Sequence, residues 1–235
     1  MKNYPVVILC GGMGTRLREE TEFVPKPLVQ IGGRPILWHI MKVYSSQGYN
    51  DFVLALGYKG ELIRSYFENN PHDFNIEFVD TGLETNTGGR IKKAAQHIDG
   101  EFMATYGDGL SNIEFKKLAD FHKKHNSIAT ITCVMPRSQF GIVDIDEQEK
   151  VIAFREKPVL PYWVNGGFFV FKKEILEFIG ENDILETDVF EKLAAERQIS
   201  AFKFNGFWNC MDTFKDSQAL NEIWAKNKAP WKIWD

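Results

Sequence analysis

The chain has 235 residues, of which 44% are hydrophobic and 26% are charged, and its formal net charge at pH 7 is −4. This length suits one α/β domain, or at most two small ones, with a core that needs no disulfide or metal to fold. The slightly acidic balance, without a basic stripe, argues against a nucleic-acid-binding protein, and no apolar run approaches the length of a membrane span.

The three cysteines, Cys10, Cys133 and Cys210, lie in or beside apolar runs and form no C-x-x-C pair. This pattern predicts buried thiols in a reducing compartment. The N-terminal residues lack the architecture of a signal peptide, so we expect a cytoplasmic protein.

Strands and helices alternate in the first two-thirds of the chain. Residues 6–10 form a continuous apolar run that ends in glycines, which is typical of a buried parallel strand followed by a turn. Pro35 fits the first position of a helix that continues to about residue 46. Further strands are predicted at 51–56, 102–105 and 129–134, and further helices at 61–67, 90–97 and 114–124. The alternation indicates a doubly wound, mainly parallel (Rossmann-like) sheet with helices on both faces.

The pattern changes after residue 135. Short strands with short connections are predicted at 142–145, 151–154 and 167–171, which favours antiparallel additions at the sheet edge or a small separate lobe. Helices near Ile175 and Val189, a strand at 199–204 and a final helix at about 213–226 follow. No internal repeat or linker is evident, so we expect a mixed α/β sheet in a single domain spanning 1–235.

A glycine-rich turn, residues 11–14, follows the first predicted strand and leads to Thr15 and Arg16. Glycines let the backbone bring its N–H groups close to an anion, and a hydroxyl and a planar cation suit phosphate. The turn lacks the Gly-Lys-Ser/Thr ending of a Walker A loop, and Leu17 occupies the third glycine position of a dinucleotide fingerprint. Ordinary strand-to-helix turns also use glycine, but if the turn is functional, it predicts phosphate binding without P-loop kinase or NAD chemistry.

Lys26 follows this turn and lies between Pro25 and Pro27. The prolines stiffen the segment, so the ammonium group is held at a lower entropic cost than that of a free lysine. A cation fixed beside a phosphate can neutralise charge on a transferring phosphorus. Most lysines are simply solvated, but the neighbouring glycine-rich turn favours a functional role here.

Two aspartates are further candidates for the chemistry. Asp108 lies between Gly107 and Gly109 after an apolar strand, where a carboxylate can coordinate Mg²⁺ but where an Asp-Gly turn is also common. Asp212 follows the apolar residues 207–211 and should be partly buried. It therefore needs a partner, which could be a metal, a backbone N–H or a lysine. The sequence spacing alone does not pair the two aspartates.

Taken together, these motifs resemble the sugar-1-phosphate nucleotidyltransferases. The similarity includes residues 11–17, Pro25-Lys26-Pro27, Gly107-Asp108, Glu156-Lys157-Pro158, Asn165-Gly166-Gly167 and Asp212. Within this family the chain looks most like the glucose-1-phosphate cytidylyltransferases, through residues 33–41, 57–60, 79–82, 87–90, 106–109 and 228–232. The likeness runs nearly end to end. It implies transfer of CMP from CTP to a phosphorylated acceptor with release of pyrophosphate, as in sugar nucleotide and polysaccharide biosynthesis.

The resemblance implies a role for each matching residue. The triphosphate and the base would be held by Leu9, Gly11, Gly12, Met13, Gly14, Thr15, Arg16, Lys26, Thr85, Arg90 and Gly107. Arg16, Lys26 and Asp108 would be catalytic, and Asp108 and Asp212 would bind Mg²⁺. The acceptor would be bound by Lys157, Asn165 and Gly166. The nucleotide-binding part would span about 1–135, and the acceptor-binding and C-terminal part, with its small antiparallel lobe, about 136–235.

The acceptor and the base are less firmly implied. Only residues 68–78 lie where the family carries a longer segment, and residues 159–164 are rather hydrophobic. Glucose 1-phosphate or a related sugar 1-phosphate is the expected acceptor, and a phosphoglutamine-like amide or choline phosphate is the alternative. Base edges are read largely by backbone groups, so thymidylyl-, uridylyl- and guanylyltransferases are rivals.

A non-catalytic nucleotide sensor is the alternative from another class. Such a protein would keep the glycine turn but lose Lys26 or a metal-binding aspartate, and this chain retains all of them. We therefore expect an enzyme. We also expect a homo-oligomer that binds CTP and a small phosphorylated acceptor, and neither nucleic acid nor a membrane.

Overall fold

The computed structural model describes residues 4–14 and 23–234. Its strands are β1 (Val6–Leu9), β2 (Gln30–Ile31), β3 (Arg34–Pro35), β4 (Asp51–Leu56), β5 (Asn75–Asp80), β6 (Phe102–Tyr106), β7 (Gly109–Ser111), β8 (Ala129–Val134), β9 (Ile142–Ile145), β10 (Val151–Arg155), β11 (Val164–Phe171), β12 (Ile199–Lys203) and β13 (Trp208–Cys210). Its α-helices are α1 (Ile36–Ser45), α2 (Gly60–Asn69), α3 (Thr87–Ala95), α4 (Phe115–His125), α5 (Ile175–Phe178), α6 (Glu191–Ala195) and α7 (Phe214–Ala225). A 3₁₀ turn spans Lys26–Leu28 and a π-helical turn spans Leu185–Phe190.

The central sheet of the described chain has seven strands in the order β12-β8-β11-β6-β1-β4-β5. Strand β1 pairs in parallel with β4 and β6, β4 pairs in parallel with β5, and β8 pairs in parallel with β12. Strand β11 runs antiparallel to both of its neighbours. The predicted mixed, mainly parallel sheet is confirmed.

Strand β11 lies inside this sheet, between β8 and β6. The expectation that its antiparallel residues would lie at a sheet edge or in a separate lobe is therefore wrong. The physical reason is visible in residues 168–171, Phe-Phe-Val-Phe, which are all at most 2% exposed. A strand that is covered on both faces carries such a continuous apolar run.

Strand β5 has no counterpart among the predicted strands. It forms one edge of the sheet, pairing only with β4 among the described strands. Its exposed Asn75 and Glu77 alternate with the half-buried Ile76 and Phe78. Only one face of this edge strand is covered, so apolar residues occur at alternate positions. The strand therefore lacks the continuous apolar run by which the buried strands were recognised.

Helices cover both faces of the sheet, as a doubly wound fold requires. Val6 and Ile8 of β1 belong to a hydrophobic cluster with residues of α1, α2 and α4. The intervening Val7 belongs to a second cluster with α3 and residues of the 175–193 segment. Because successive side chains of a strand point to opposite faces, one strand anchors both layers.

The C-terminal aromatic residues close the first layer. Trp231 is fully buried and stacks on Phe207 and Trp224, with ring centroids 5.4 and 6.3 Å away. Its Nε1 donates a hydrogen bond to Nδ1 of the buried His39 at 3.4 Å, and His39 Nε2 donates to Ile31 O at 2.8 Å. Burial lowers the pKa of His39 to about 4, so the imidazole is a neutral part of the core.

Strands β9 and β10 form a separate two-stranded antiparallel ribbon, as predicted for the small lobe. Several large apolar side chains of this region, including Phe140, Ile152 and Phe154, are exposed. Of the helices in residues 4–14 and 23–234, none combines the length and the apolar character needed to cross a bilayer.

Candidate active site

A cleft of about 500 Å³ opens where β1 and β6 end. The two strands run in parallel with Leu9 opposite Tyr106, so the turns that follow them lie at the same edge of the sheet. A cleft of this volume can hold a nucleotide-sized ligand. The sequence-predicted residues that line it are Leu9, Gly11, Gly12, Met13, Gly14, Lys26, Thr85, Arg90, Gly107 and Asp108.

Backbone hydrogen bonds hold the start of the glycine turn that lines the cleft. Cys10 N donates to Ala55 O at 3.0 Å, and Tyr58 N donates to Gly11 O at 3.1 Å. Gly14 has a φ of +63°, in the left-handed region that glycine adopts most readily. Thr15 and Arg16, the other predicted residues of this turn, lie outside the described residues.

Arg90 supports the turn from below. Its guanidinium group is buried and donates to Leu56 O at 3.0 Å, Leu83 O at 2.9 Å and Thr81 Oγ1 at 2.6 Å. A Cβ on Gly11 would lie 2.1 Å from Arg90 Nη1. The turn can approach Arg90 this closely because Gly11 has no side chain. Burial lowers the pKa of Arg90. Arg90 lines the cleft, as expected for a residue near the nucleotide, but these hydrogen bonds also give it a structural role.

Lys26 lies between two carboxylates. Its Nζ donates to Asp108 Oδ2 at 2.6 Å and to Asp212 Oδ1 at 2.8 Å, and its side chain is buried. Burial lowers the pKa of Lys26, but the charges and hydrogen bonds of the two aspartates outweigh it, and the net pKa is raised. The lysine is therefore a fixed cation at neutral pH. Its segment is rigid because Pro25 and Pro27 flank it and the 3₁₀ turn begins there.

Asp108 and Asp212 are far apart in the sequence, and the pairing of two short strands brings them together. Strand β7 is antiparallel to β13, with Gly109 opposite Cys210. Met211 N donates to Asp108 O at 2.9 Å. The two carboxylates consequently meet at Lys26, in the arrangement that the sequence spacing left open.

The described residues at this point can accept a divalent cation. Asp108, Cys210 and Asp212 offer ligand atoms that all lie within 4.8 Å of one another. Burial, followed by the charges of the two aspartates, raises the pKa of the Cys210 thiol, so the thiol is neutral. Two carboxylates suit a hard cation such as Mg²⁺, whereas a neutral thiol is a poor ligand for it. The ammonium group of Lys26 already shows that this acidic pair binds positive charge.

The predicted acceptor residues differ in their surroundings: Asn165 is half-buried, Gly166 is buried and Lys157 is exposed. Asn165 Nδ2 donates to the hydroxyl of Tyr106, which lines the cleft, at 3.3 Å. Gly166 O accepts from Trp208 Nε1 at 2.8 Å. Lys157 follows the exposed ribbon and is not among the described residues that line the cleft; its Nζ lies 3.7 Å from Glu156 Oε1. Its φ of +44° is uncommon for a residue with a side chain.

Thr87, Tyr106 and Glu186 were given no role from the sequence, although Thr87 and Tyr106 lie in stretches that carry the resemblance. The hydroxyl of Tyr106 donates to Glu186 Oε1, and Thr87 Oγ1 donates to Glu186 Oε2 at 2.9 Å. Glu186 belongs to the π-helical turn, which has no periodic sequence signature of its own. Thr87 begins α3, three residues before the start that the sequence predicted.

Comparison with known proteins gives a consistent result. A family model described as nucleotidyl transferase matches residues 5–225. The chain is 42% identical to a glucose-1-phosphate cytidylyltransferase of Salmonella typhi over 256 aligned positions, which cover 97% of this chain and 99% of the relative. It is 38% identical to a probable glucose-1-phosphate cytidylyltransferase of Bacillus subtilis, with 97% and 99% covered. The crystal structure of HddC from Yersinia pseudotuberculosis complexed with GMP-PN is 27% identical, with a TM-score of 0.76 and 94% and 99% of the chains covered.

These matches confirm the resemblance that the sequence motifs indicated. The 256 aligned positions exceed the 235 residues of this chain, so the Salmonella relative carries residues that have no counterpart here. That they correspond to the short segment at 68–78 stays a prediction.

Proposed function

The chain belongs to the nucleotidyl transferase family, and from this premise we propose that it transfers CMP from CTP to a sugar 1-phosphate, with glucose 1-phosphate as the expected acceptor. The products are a CDP-linked sugar and pyrophosphate. The choice of CTP and of glucose 1-phosphate is supported by the two relatives that are 42% and 38% identical over nearly their full length.

The observation that carries the proposal is the contact of Lys26 with both Asp108 and Asp212 at the cleft. Nucleotidyl transfer requires positive charge at the transferring phosphorus and at the leaving pyrophosphate. A fixed cation at 2.6 and 2.8 Å from two carboxylates that can hold a metal supplies both requirements in one place. A protein that only sensed a nucleotide would have no need of this arrangement.

In our proposal the glycine turn binds the triphosphate. Backbone N–H groups of residues 11–14 would donate to phosphate oxygens, and Arg90 would hold the turn in the required shape. Thr15 and Arg16 would add a hydroxyl and a cation, as the family resemblance implies. Leu9, Met13, Thr85 and Gly107 would surround the nucleotide, because they line the same cleft.

Asp108 and Asp212 would hold Mg²⁺. The bound ion would supply positive charge that offsets the charge of the triphosphate and of the leaving pyrophosphate. Lys26 would neutralise the negative charge that develops on the α-phosphate during the transfer.

The reaction itself needs little acid–base chemistry from the protein. An oxygen of the acceptor phosphate forms a bond to the α-phosphorus, the bond from that phosphorus to the β-phosphate oxygen breaks, and its electron pair leaves with pyrophosphate. The acceptor phosphate is already ionised and needs no strong general base. Catalysis is therefore mainly positioning and charge neutralisation.

The acceptor would bind beside the cleft. Lys157 would pair with its phosphate, and Asn165 and Gly166 would contact its polar groups. Asn165 supports this reading because it contacts Tyr106 at the wall of the nucleotide cleft. An acceptor bound to Asn165 would consequently lie next to the nucleotide.

Pyrophosphate release with CTP, Mg²⁺ and glucose 1-phosphate tests this proposal, with UTP, dTTP and GTP as parallel reactions. We expect turnover with CTP and far less with the other triphosphates. If CTP raises the melting temperature but glucose 1-phosphate gives no turnover, the sugar acceptor is wrong, and phosphorylated amides and choline phosphate are tested next. If no triphosphate binds, the assignment of the cleft is wrong.

A further inference from the structure

Glu186 connects the cleft with strand β11, which carries Asn165 and Gly166 of the proposed acceptor site. Its Oε2 accepts from Thr87 Oγ1 at 2.9 Å, and its Oε1 accepts from the hydroxyl of Tyr106. That hydroxyl accepts from Asn165 Nδ2 at 3.3 Å, and Asn165 Oδ1 accepts from Gly167 N at 2.8 Å. Thr87 and Tyr106 line the cleft, so the chain of hydrogen bonds runs from its wall to strand β11.

The direction of each hydrogen bond follows from the chemistry of the groups. Asn165 Oδ1 accepts from Gly167 N, so Nδ2 faces Tyr106, and an amide nitrogen only donates. Tyr106 therefore accepts from Asn165 and gives its single proton to Glu186. The amide of Asn165 is then fixed, with its oxygen toward Gly167 N and its nitrogen toward Tyr106. The remaining N–H of Asn165 is the group that can donate to an acceptor molecule.

The ring of Tyr106 is held independently of its hydroxyl. Gly167 has a φ of +77°, and a Cβ there would lie 2.5 Å from Tyr106 Cδ2, so the ring occupies the space of the missing side chain. The edge-to-face contact with Phe169, at 5.5 Å and 90°, also holds the ring. Removal of the hydroxyl should therefore leave the ring in place.

The π-helical turn aims Glu186 at this ring. Leu185 N donates to Thr87 Oγ1 at 2.9 Å, and Asp183 O accepts from Gly88 N and Gly89 N at 2.9 and 3.2 Å. The turn is thus attached to the N-terminal end of α3. Turns of this kind occur often at functional sites.

We propose that Glu186 is a positioning residue that acts through Tyr106 to hold Asn165 in the orientation that binds the acceptor. The inference deepens the proposed function and rests on it for the identity of the acceptor. Glu186 itself touches no reacting atom.

The test is a double-mutant cycle with Tyr106→Phe, Glu186→Ala and the double variant, assayed with CTP and glucose 1-phosphate varied separately. Loss of one positioning hydrogen bond should raise KM for glucose 1-phosphate about tenfold in Tyr106→Phe, with KM for CTP and the melting temperature nearly unchanged. Glu186→Ala should raise the same KM by a similar factor, and the double variant should show little further rise, because both changes break one chain.

Two further variants complete the design. Glu186→Gln keeps an oxygen that can accept from Tyr106, so it should recover most of the affinity for the acceptor. Glu191→Ala replaces an exposed glutamate in the neighbouring helix α6 and should change nothing. Additive effects in the double variant, or an equal rise of both KM values, would overturn the proposal.

A wild-type enzyme that does not use glucose 1-phosphate would overturn the acceptor assignment but would still allow the network to be tested. Crystal structures of the wild type and of Glu186→Ala would then be compared. We expect Asn165 to lose its orientation toward Gly167 N in the variant. An unchanged Asn165 would contradict the positioning role.

Discussion

The cleft that we propose for the nucleotide and the region that we propose for the acceptor are built differently. In the cleft, Lys26 and Arg90 are only 9% and 5% exposed, and each donates to several fixed oxygens. In the acceptor region, the side chain of Lys157 is 48% exposed, and its Nζ lies 3.7 Å from Glu156 Oε1, whose side chain is 64% exposed. Charged groups of the cleft are thus held in place by the fold before any ligand binds, whereas those of the acceptor region are held loosely.

This difference predicts how substitutions will act. A buried, hydrogen-bonded charge contributes to stability and to chemistry together, so its loss should affect both. An exposed side chain contributes little to stability, so its loss should affect only the ligand that it binds.

The largest effect is expected for Asp108→Asn. The amide keeps the size of the side chain but removes the charge that would hold Mg²⁺, so Mg²⁺-dependent turnover should fall by about 10³-fold or more. The melting temperature should fall as well, because the ion pair with Lys26 is weakened, but the fold should stay intact because Lys26 keeps its bond to Asp212. Asp120→Asn, at an exposed aspartate paired with Lys116, is the matched control. Full activity of Asp108→Asn at a normal melting temperature would contradict the metal assignment.

Arg90→Met should lower both stability and nucleotide binding. The substitution removes the arginine donor from Leu83 O and Thr81 Oγ1, whereas Leu56 O keeps its bonds from Thr81 N and Thr81 Oγ1. The free energy of unfolding should therefore fall by about 1–3 kcal/mol. Affinity for CTP should fall as well, since the glycine turn rests on this side chain. Urea denaturation and CTP titration measure the two effects. A variant that lost CTP affinity without losing stability would show that Arg90 binds the nucleotide directly and does not support the turn.

Lys157→Ala should act on the acceptor alone. We expect KM for glucose 1-phosphate to rise about tenfold or more through loss of a charge-assisted hydrogen bond, with KM for CTP unchanged. The free energy of unfolding should change by less than about 0.5 kcal/mol, as for other exposed side chains. Lys150→Ala, on the same ribbon, is the control. A rise in KM for CTP would place Lys157 on the triphosphate instead.

The last prediction concerns pH and the buried core, away from the proposed substrates. The folded pKa of His39 is about 4, below the ordinary 6.5, so between these values the unfolded chain binds a proton that the folded chain excludes. The contribution of neutral His39 to the free energy of unfolding should be fully present above pH 6.5. It should fall by about 1–3 kcal/mol as the pH decreases to 4. His39→Gln should flatten part of this dependence in thermal melts. His122, whose pKa is also lowered to about 4, accounts for a further part. An unchanged pH profile in His39→Gln would refute the role of His39.

The sequence predicted much of the cleft because its elements are local. The apolar strand β1 and the glycines that follow it are adjacent in the chain, and the rule that parallel strands end at one edge brings Gly107 and Asp108 to the same place. Strand β5 was not predicted because an edge strand carries no buried apolar run.

The rest depends on contacts between distant residues that no periodicity encodes. The meeting of Asp108 with Asp212 requires the three-residue strands β7 and β13 to pair. The donors of Arg90 go to carbonyl groups beneath the turn, and Glu186 enters from a π-helical turn. The sequence motifs predicted which residues line the cleft, but the hydrogen-bond partners of each residue could be identified only from the structure.

The most direct test of nucleotidyl transfer uses CTP radiolabelled at its α-phosphate, incubated with Mg²⁺ and glucose 1-phosphate. We expect the label to enter a CDP-linked product while the released pyrophosphate is unlabelled, and we expect Lys26→Met to slow this transfer by about 10²–10³-fold. Label that appears only in free CMP, or that stays in CDP while the γ-phosphate moves to the sugar, would contradict nucleotidyl transfer at the site formed by Lys26, Asp108 and Asp212.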